Sequence, residues 1–107
     1  VLEHTGQQGD YKFFFAQFED FARILRPGGF LLATTPTFNS RWCWGDPSHK
    51  RVITQETLTF LSQEQYAQQV GVTSMSDFRY IYKADFVLCW SESVQDDQFR
   101  FVLKVNK

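Results

Sequence analysis

Apolar positions along the first quarter of the chain keep a helical rhythm. Phe14, Phe15, Phe18, Phe21, Ala22 and Leu25 recur at one-, three- and four-residue steps, the stripe of an amphipathic helix. Gln17, Glu19, Asp20 and Arg23 fall largely on the other side. The spacing predicts a helix over 11–26, with the Asp10 carboxylate as its N-cap. Arg26-Pro27-Gly28-Gly29 ends it, because proline disfavours helical backbone at the residue before it and glycine permits positive φ. Phe30 to Thr35 follows as a nearly continuous apolar run. That is the pattern of a strand buried on both faces, as in parallel sheets covered by helices.

Upstream, Val1 and Leu2 read as the last rungs of a strand, followed by a Gly-rich loop through Gly9. Downstream, Pro36 to Arg51 is a long loop carrying Trp42, Trp44, Asp46, His49 and Arg51. Loops of that length inside a compact domain are uncommon and often functional. Thr54 is placed to cap a second helix with Leu58, Phe60 and Leu61 on its buried side. Ser62 to Gln69 continues as a short helix around Tyr66. The period then changes. A strand is expected over 78–90, a polar turn over 91–97, and a second strand with Phe99, Phe101, Leu103 and Val105 on one face. So short a connection implies an antiparallel hairpin.

Composition narrows the class. A chain of 107 residues makes one domain spanning 1–107. Hydrophobic residues at 43% and charged residues at 21% are those of a globular chain rather than a disordered one. Aromatics reach 18%, enough to build a core and leave rings for a binding surface. The net charge of −1 lacks the positive excess with which nucleic-acid binders neutralise phosphate. Cys43 and Cys89 show no CxxC spacing and read as free thiols of a reducing compartment, a single disulfide being the alternative. No apolar run approaches the roughly 18 residues of a membrane span, and no signal peptide is evident. The expectation is a soluble, cytoplasmic protein without nucleic-acid or membrane partners.

Candidate chemistry gathers at two places. Glu3 and His4 follow the first apolar pair, at the end of a strand where open α/β sheets bind ligands; the alternative is a local ion pair and a turn cap. Asp46, His49 and Arg51 supply an orienting carboxylate, an acid/base group and an anion-binding fork, unless Asp46 caps a turn and Arg51 holds the loop. Trp42 and Trp44 either wall an apolar pocket or anchor the loop. His49, His4 and Glu3 are the candidate catalytic residues, with Trp42, Trp44, Asp46 and Arg51 as candidate substrate-binding residues. The histidines and cysteines show no metal-ligand spacing, so no metal is expected.

Four ordered features, Leu2-Glu3-His4, Leu25-Arg26-Pro27-Gly28-Gly29, the run ending Thr34-Thr35-Pro36, and Asp46-Pro47-Ser48-His49-Lys50-Arg51, carry a family likeness. With the closing hairpin, the chain resembles the C-terminal half of class I S-adenosylmethionine-dependent methyltransferases. The resemblance implies a partial Rossmann-like α/β fold: parallel strands plus a C-terminal antiparallel β-hairpin, with two to three helices. It implies S-adenosylmethionine as the cofactor of the complete fold, with Glu3 and His4 approaching it. The family's glycine-rich cofactor loop is not in this sequence, so the resemblance implies a fragment or truncated member, inactive as an isolated monomer. A non-catalytic, self-associating or binding module derived from the same fold is the alternative. The expected partner is a second copy or a complementary N-terminal half, joined through exposed sheet edge and the Phe-rich helix.

Overall fold

The computed structural model describes residues 1–95 and 97–107. A short 3-10 helix at Leu2–His4 precedes helix α1 at Tyr11–Ile24, strand β1 at Phe30–Pro36 and helix α2 at Arg41–Gly45. Helices α3 at Gln55–Thr59 and α4 at Gln63–Gln69 follow, and strands β2 at Phe86–Ser93 and β3 at Gln98–Val105 close the chain.

Helix α1 forms where its stripe predicts. The Asp10 side chain accepts the Phe13 N–H, and Phe14, Phe15, Phe18 and Ala22 are buried. Gly28 takes φ +76° in the turn that reverses the chain, and the Gly29 N–H bonds the Arg26 carbonyl at 2.8 Å. The expected last rungs of a strand at Val1–Leu2 are instead the start of the 3-10 helix. Thr54 caps α3 in a reciprocal box with Thr57, and Ser62 caps α4.

The sheet corrects the expected fold class. Its order is β1-β3-β2, and β3 runs antiparallel to both neighbours. Among the described residues no two neighbouring strands are parallel, so the parallel Rossmann-like arrangement is not the one formed. The physical reason lies in β1. Its apolar run reads as buried on both faces, yet one face is open: Phe30 and Leu32 are 55% and 71% exposed. Register places Leu32, Val102 and Trp90 in one row of that open face, and Phe30, Lys104 and Val87 in the next. The opposite face carries Leu31, Leu103 and Leu88, then Ala33 and Phe101, and packs into the core with α1.

The strand expected over 78–90 begins only at Phe86. Residues 78–82 form a turn, with the Ile81 and Tyr82 N–H groups both bonding the Phe78 carbonyl. The aromatic residues there serve packing rather than a ladder: Phe78 and Tyr82 each place a ring about 5.1 Å from that of Phe15. The β2–β3 connection spans Val94 to Asp97, and position 96 of the expected 91–97 turn lies outside the described residues. Cys89 falls at the register shift of β2, and Cys43 and Cys89 are both free thiols. Among the described residues, no helix is long and apolar enough to cross a membrane.

Candidate functional site

The long loop is held to the N-terminal segment by backbone bonds. The Lys50 and Arg51 N–H groups both donate to the Glu3 carbonyl, at 2.7 and 3.2 Å. This seats His49 against His4, their rings edge-to-face with centroids 4.8 Å apart. One ligand atom from each of Glu3, His4 and His49 lies within 4.8 Å of the others.

Oxygen atoms flank both imidazoles. His4 Nδ1 lies 3.1 Å from the Ser48 carbonyl, so its N–H is the donor there, and Nε2 lies 3.6 Å from Glu3 Oε1. His49 Nε2 is 3.6 Å from Asp46 Oδ2. Asp46 in turn is anchored through Oδ1, which accepts the Ser48 N–H and hydroxyl at 2.9 and 2.7 Å. The His49 side chain is only 10% exposed, and its Nδ1 is buried with no hydrogen-bond partner. A buried nitrogen left without a partner costs free energy, and a ligand or ion is one way to satisfy it.

Two carboxylates, Glu3 and Asp46, flank the cluster, and the Val1 amine lies 2.9 Å from Glu3 Oε2. Burial works to raise the Glu3 carboxyl, but the hydrogen bonds from the Val1 amine and the backbone, together with His4, hold it below its ordinary value. The Ser48 hydrogen bonds likewise hold the Asp46 carboxyl low. Burial, with the Glu3 charge adding to it, pushes the Cys43 thiol up, so this thiol is not an activated nucleophile.

The structure therefore joins Glu3, His4, His49 and Asp46 and sets Trp44 and Arg51 apart from them. Trp42 borders a neighbouring cleft of about 290 Å³ that also includes Glu3 and Thr35. Trp44 stands 69% exposed, its indole N–H bonded to the Phe38 carbonyl. Arg51 turns away into the protein. It is buried, donates to the carbonyls of Thr5, Gln7 and Asp10 at 3.4, 2.9 and 3.0 Å, and lies over the Phe14 ring. The ligand set escapes a search for metal spacing because its two histidines lie in distant segments. A second grouping also escapes it: Tyr11, Phe60 and Phe78 come together around a separate cavity.

The chain matches no protein-family model, no curated protein and no solved structure. The methyltransferase resemblance is withdrawn. It implied neighbouring parallel strands, and the sheet is antiparallel throughout its described residues. With it go the methyltransferase activity, the derivation of any module from that fold, and S-adenosylmethionine as the expected cofactor, since no cofactor surface of that kind follows from this sheet.

Proposed function

We propose that the chain is a metal-binding domain in which His4, His49 and Glu3 hold one divalent cation of the zinc type. The observation that carries this reading is the convergence of their three ligand atoms within 4.8 Å, together with the buried, unpartnered Nδ1 of His49. Two imidazoles and one carboxylate are a donor set suited to zinc. A tetrahedral ion with bonds of about 2.1 Å spaces its ligand atoms about 3.4 Å apart, so the cluster contracts by a little over 1 Å on binding. His4, 44% exposed at its side chain, has room to turn. The Ser48 carbonyl and the Asp46 carboxylate act as the outer partners that orient metal-bound imidazoles. Three protein ligands leave a fourth position for water or a substrate oxygen, the arrangement in which zinc works as a Lewis acid.

The test is titration of the purified chain with Co²⁺, read by the visible absorption of a tetrahedral site, followed by displacement with Zn²⁺. One equivalent is expected to saturate, and His4→Ala and His49→Ala each to abolish the band while circular dichroism remains that of the parent. Asp46→Asn is expected to weaken binding about tenfold, the low end for an orienting partner, because the 3.6 Å contact exceeds a hydrogen bond. Equal binding by the parent and the His4→Ala/His49→Ala double variant would refute the assignment.

A further inference from the structure

On the side of the 49–51 segment away from the histidines lies a second cavity, of about 290 Å³. It opens between the N-terminal turn of α1, helix α3 and the turn at 78–82. Tyr11, Phe14, Phe15, Phe60 and Phe78 supply its walls, and Arg51 reaches it from within. The Tyr11 and Phe78 rings lie 5.0 Å apart at 32°, and Phe15 and Phe78 lie 5.1 Å apart, so ring faces and edges line the space.

Arg51 is the unusual member. It is 8% exposed, yet among the described residues no carboxylate lies within ion-pair distance of its guanidinium. Its hydrogen bonds go to three backbone carbonyls and use Nε and Nη2. Dipoles of that kind solvate a cation only in part, and buried charges are ordinarily paired with an opposite charge. The three carbonyl bonds use Nε and both Nη2 hydrogens, so Nη1 is the group left to meet an anion, through a single charge-assisted contact.

Size selects the rest of the ligand. A dry cavity of about 150 Å³ accommodates benzene, whereas sites for drug-sized molecules begin at about 300 Å³. A space of about 290 Å³ therefore suits one ring with a short acidic substituent. Of the polar groups on the rim, Gln8 is already occupied, its Oε1 accepting the Val52 N–H. Glu56, exposed at the start of α3, is the one carboxylate among the lining residues and opposes a second negative charge. We infer that this cavity is a binding site for a small, planar, monoanionic aromatic carboxylic acid, its ring among Tyr11, Phe60 and Phe78 and its carboxylate on Arg51. The inference is independent of the metal centre, and its test requires no metal.

The experiment is a titration of the whole 107-residue chain with benzoate in the presence of a chelator, followed by two-dimensional NMR. Benzylamine, the same ring with the opposite charge, serves as the paired probe. Saturable shifts at Tyr11, Phe60 and Phe78 are expected with benzoate, at an affinity at least tenfold above that for benzylamine. Removing the rim carboxylate by Glu56→Gln is expected to tighten benzoate about two- to fivefold, the range of an exposed charge pair. Arg51→Met is expected to abolish binding in a chain whose amide spectrum stays dispersed. Should that variant not fold, the benzoate–benzylamine ratio and Glu56→Gln still decide. Equal affinity for the two probes, absence of saturation in the folded parent, or shifts confined to other residues would overturn the assignment.

Discussion

Replacing Tyr82 by Phe isolates one buried hydrogen bond, and the structure indicates how large its loss should be. Tyr82 is fully buried, and its hydroxyl donates to the Leu61 carbonyl at 2.8 Å. If that were the carbonyl's one partner, deletion would leave a buried acceptor orphaned at a cost of about 1–3 kcal/mol. It is not, because the Phe86 N–H also donates to Leu61 O, at 2.9 Å. The acceptor remains satisfied after the substitution. The expected loss is therefore the net value of a single neutral hydrogen bond, about 1 kcal/mol, or a fall in Tm of about 4–8 °C for a domain near this size. Urea unfolding followed by circular dichroism measures it, and an unchanged m value would confirm that the native and unfolded states keep their exposed areas. A loss of about 3 kcal/mol would mean that Phe86 does not share the carbonyl, and that the entry into β2 is held differently. No loss at all would mean that the hydroxyl reaches water.

The two tightest aromatic hydroxyl sites also set an alkaline limit. Burial first, and the Asp77 charge second, push Tyr66 up to about 12, against the nearby Arg79 charge; burial also raises Tyr82. Because the folded-state values lie above the unfolded one, their stabilisation is complete below about pH 10. For Tyr66 it is lost as pH rises from there through about 12, so tyrosinate absorbance should grow together with loss of ellipticity; ionisation of all four tyrosines without unfolding would contradict this. Gly6 and Gly9 both hold positive φ, at +69° and +91°, but a Cβ on Gly6 would sit 2.7 Å from the Phe13 ring while one on Gly9 meets open space. Gly9→Ala should cost about 1 kcal/mol from backbone strain alone and Gly6→Ala about 2–3 kcal/mol with the added crowding; equal losses in chemical denaturation would refute the distinction.

How far the sequence reveals this molecule depends on the range of the interaction concerned. The spacing of Phe14, Phe18 and Ala22 is a local periodicity, and it places α1 to within two residues because the Asp10 cap and the Pro27-Gly28 turn are local too. Phe99, Phe101, Leu103 and Val105 alternate and are buried together on one face of β3. Strand neighbourhood is different. Nothing in Phe30–Thr35 records that β3 pairs with it, and an apolar run carries the same letters whether one face or two are covered. Assuming a cover on both faces led to parallel neighbours, whereas Leu32 faces outward. The Phe78–Tyr82 stretch misled in a similar way: Phe78 and Tyr82 serve tertiary packing onto Phe15 of α1, and packing overrides propensity.

The site follows the same rule. His4, His49, Glu3 and Asp46 each stand out as chemically able residues, and the short Asp46–Ser48–His49 turn is a local motif of hydrogen bonds. Their convergence depends on the Lys50 and Arg51 N–H groups reaching the Glu3 carbonyl. Those donors and that acceptor belong to the backbone, which every residue but proline offers alike, so no side-chain spacing encodes the meeting. Arg51 is the converse case. Its side chain reads as a fork for an anion beside His49, yet the same backbone contact that brings His49 to His4 turns Arg51 away, into the aromatic cavity. One backbone junction thus divides a single sequence motif between two sites of different chemistry. Metal capture by the histidines and acid binding at Arg51 should consequently fail separately under substitution, and fail together only when the junction itself is broken.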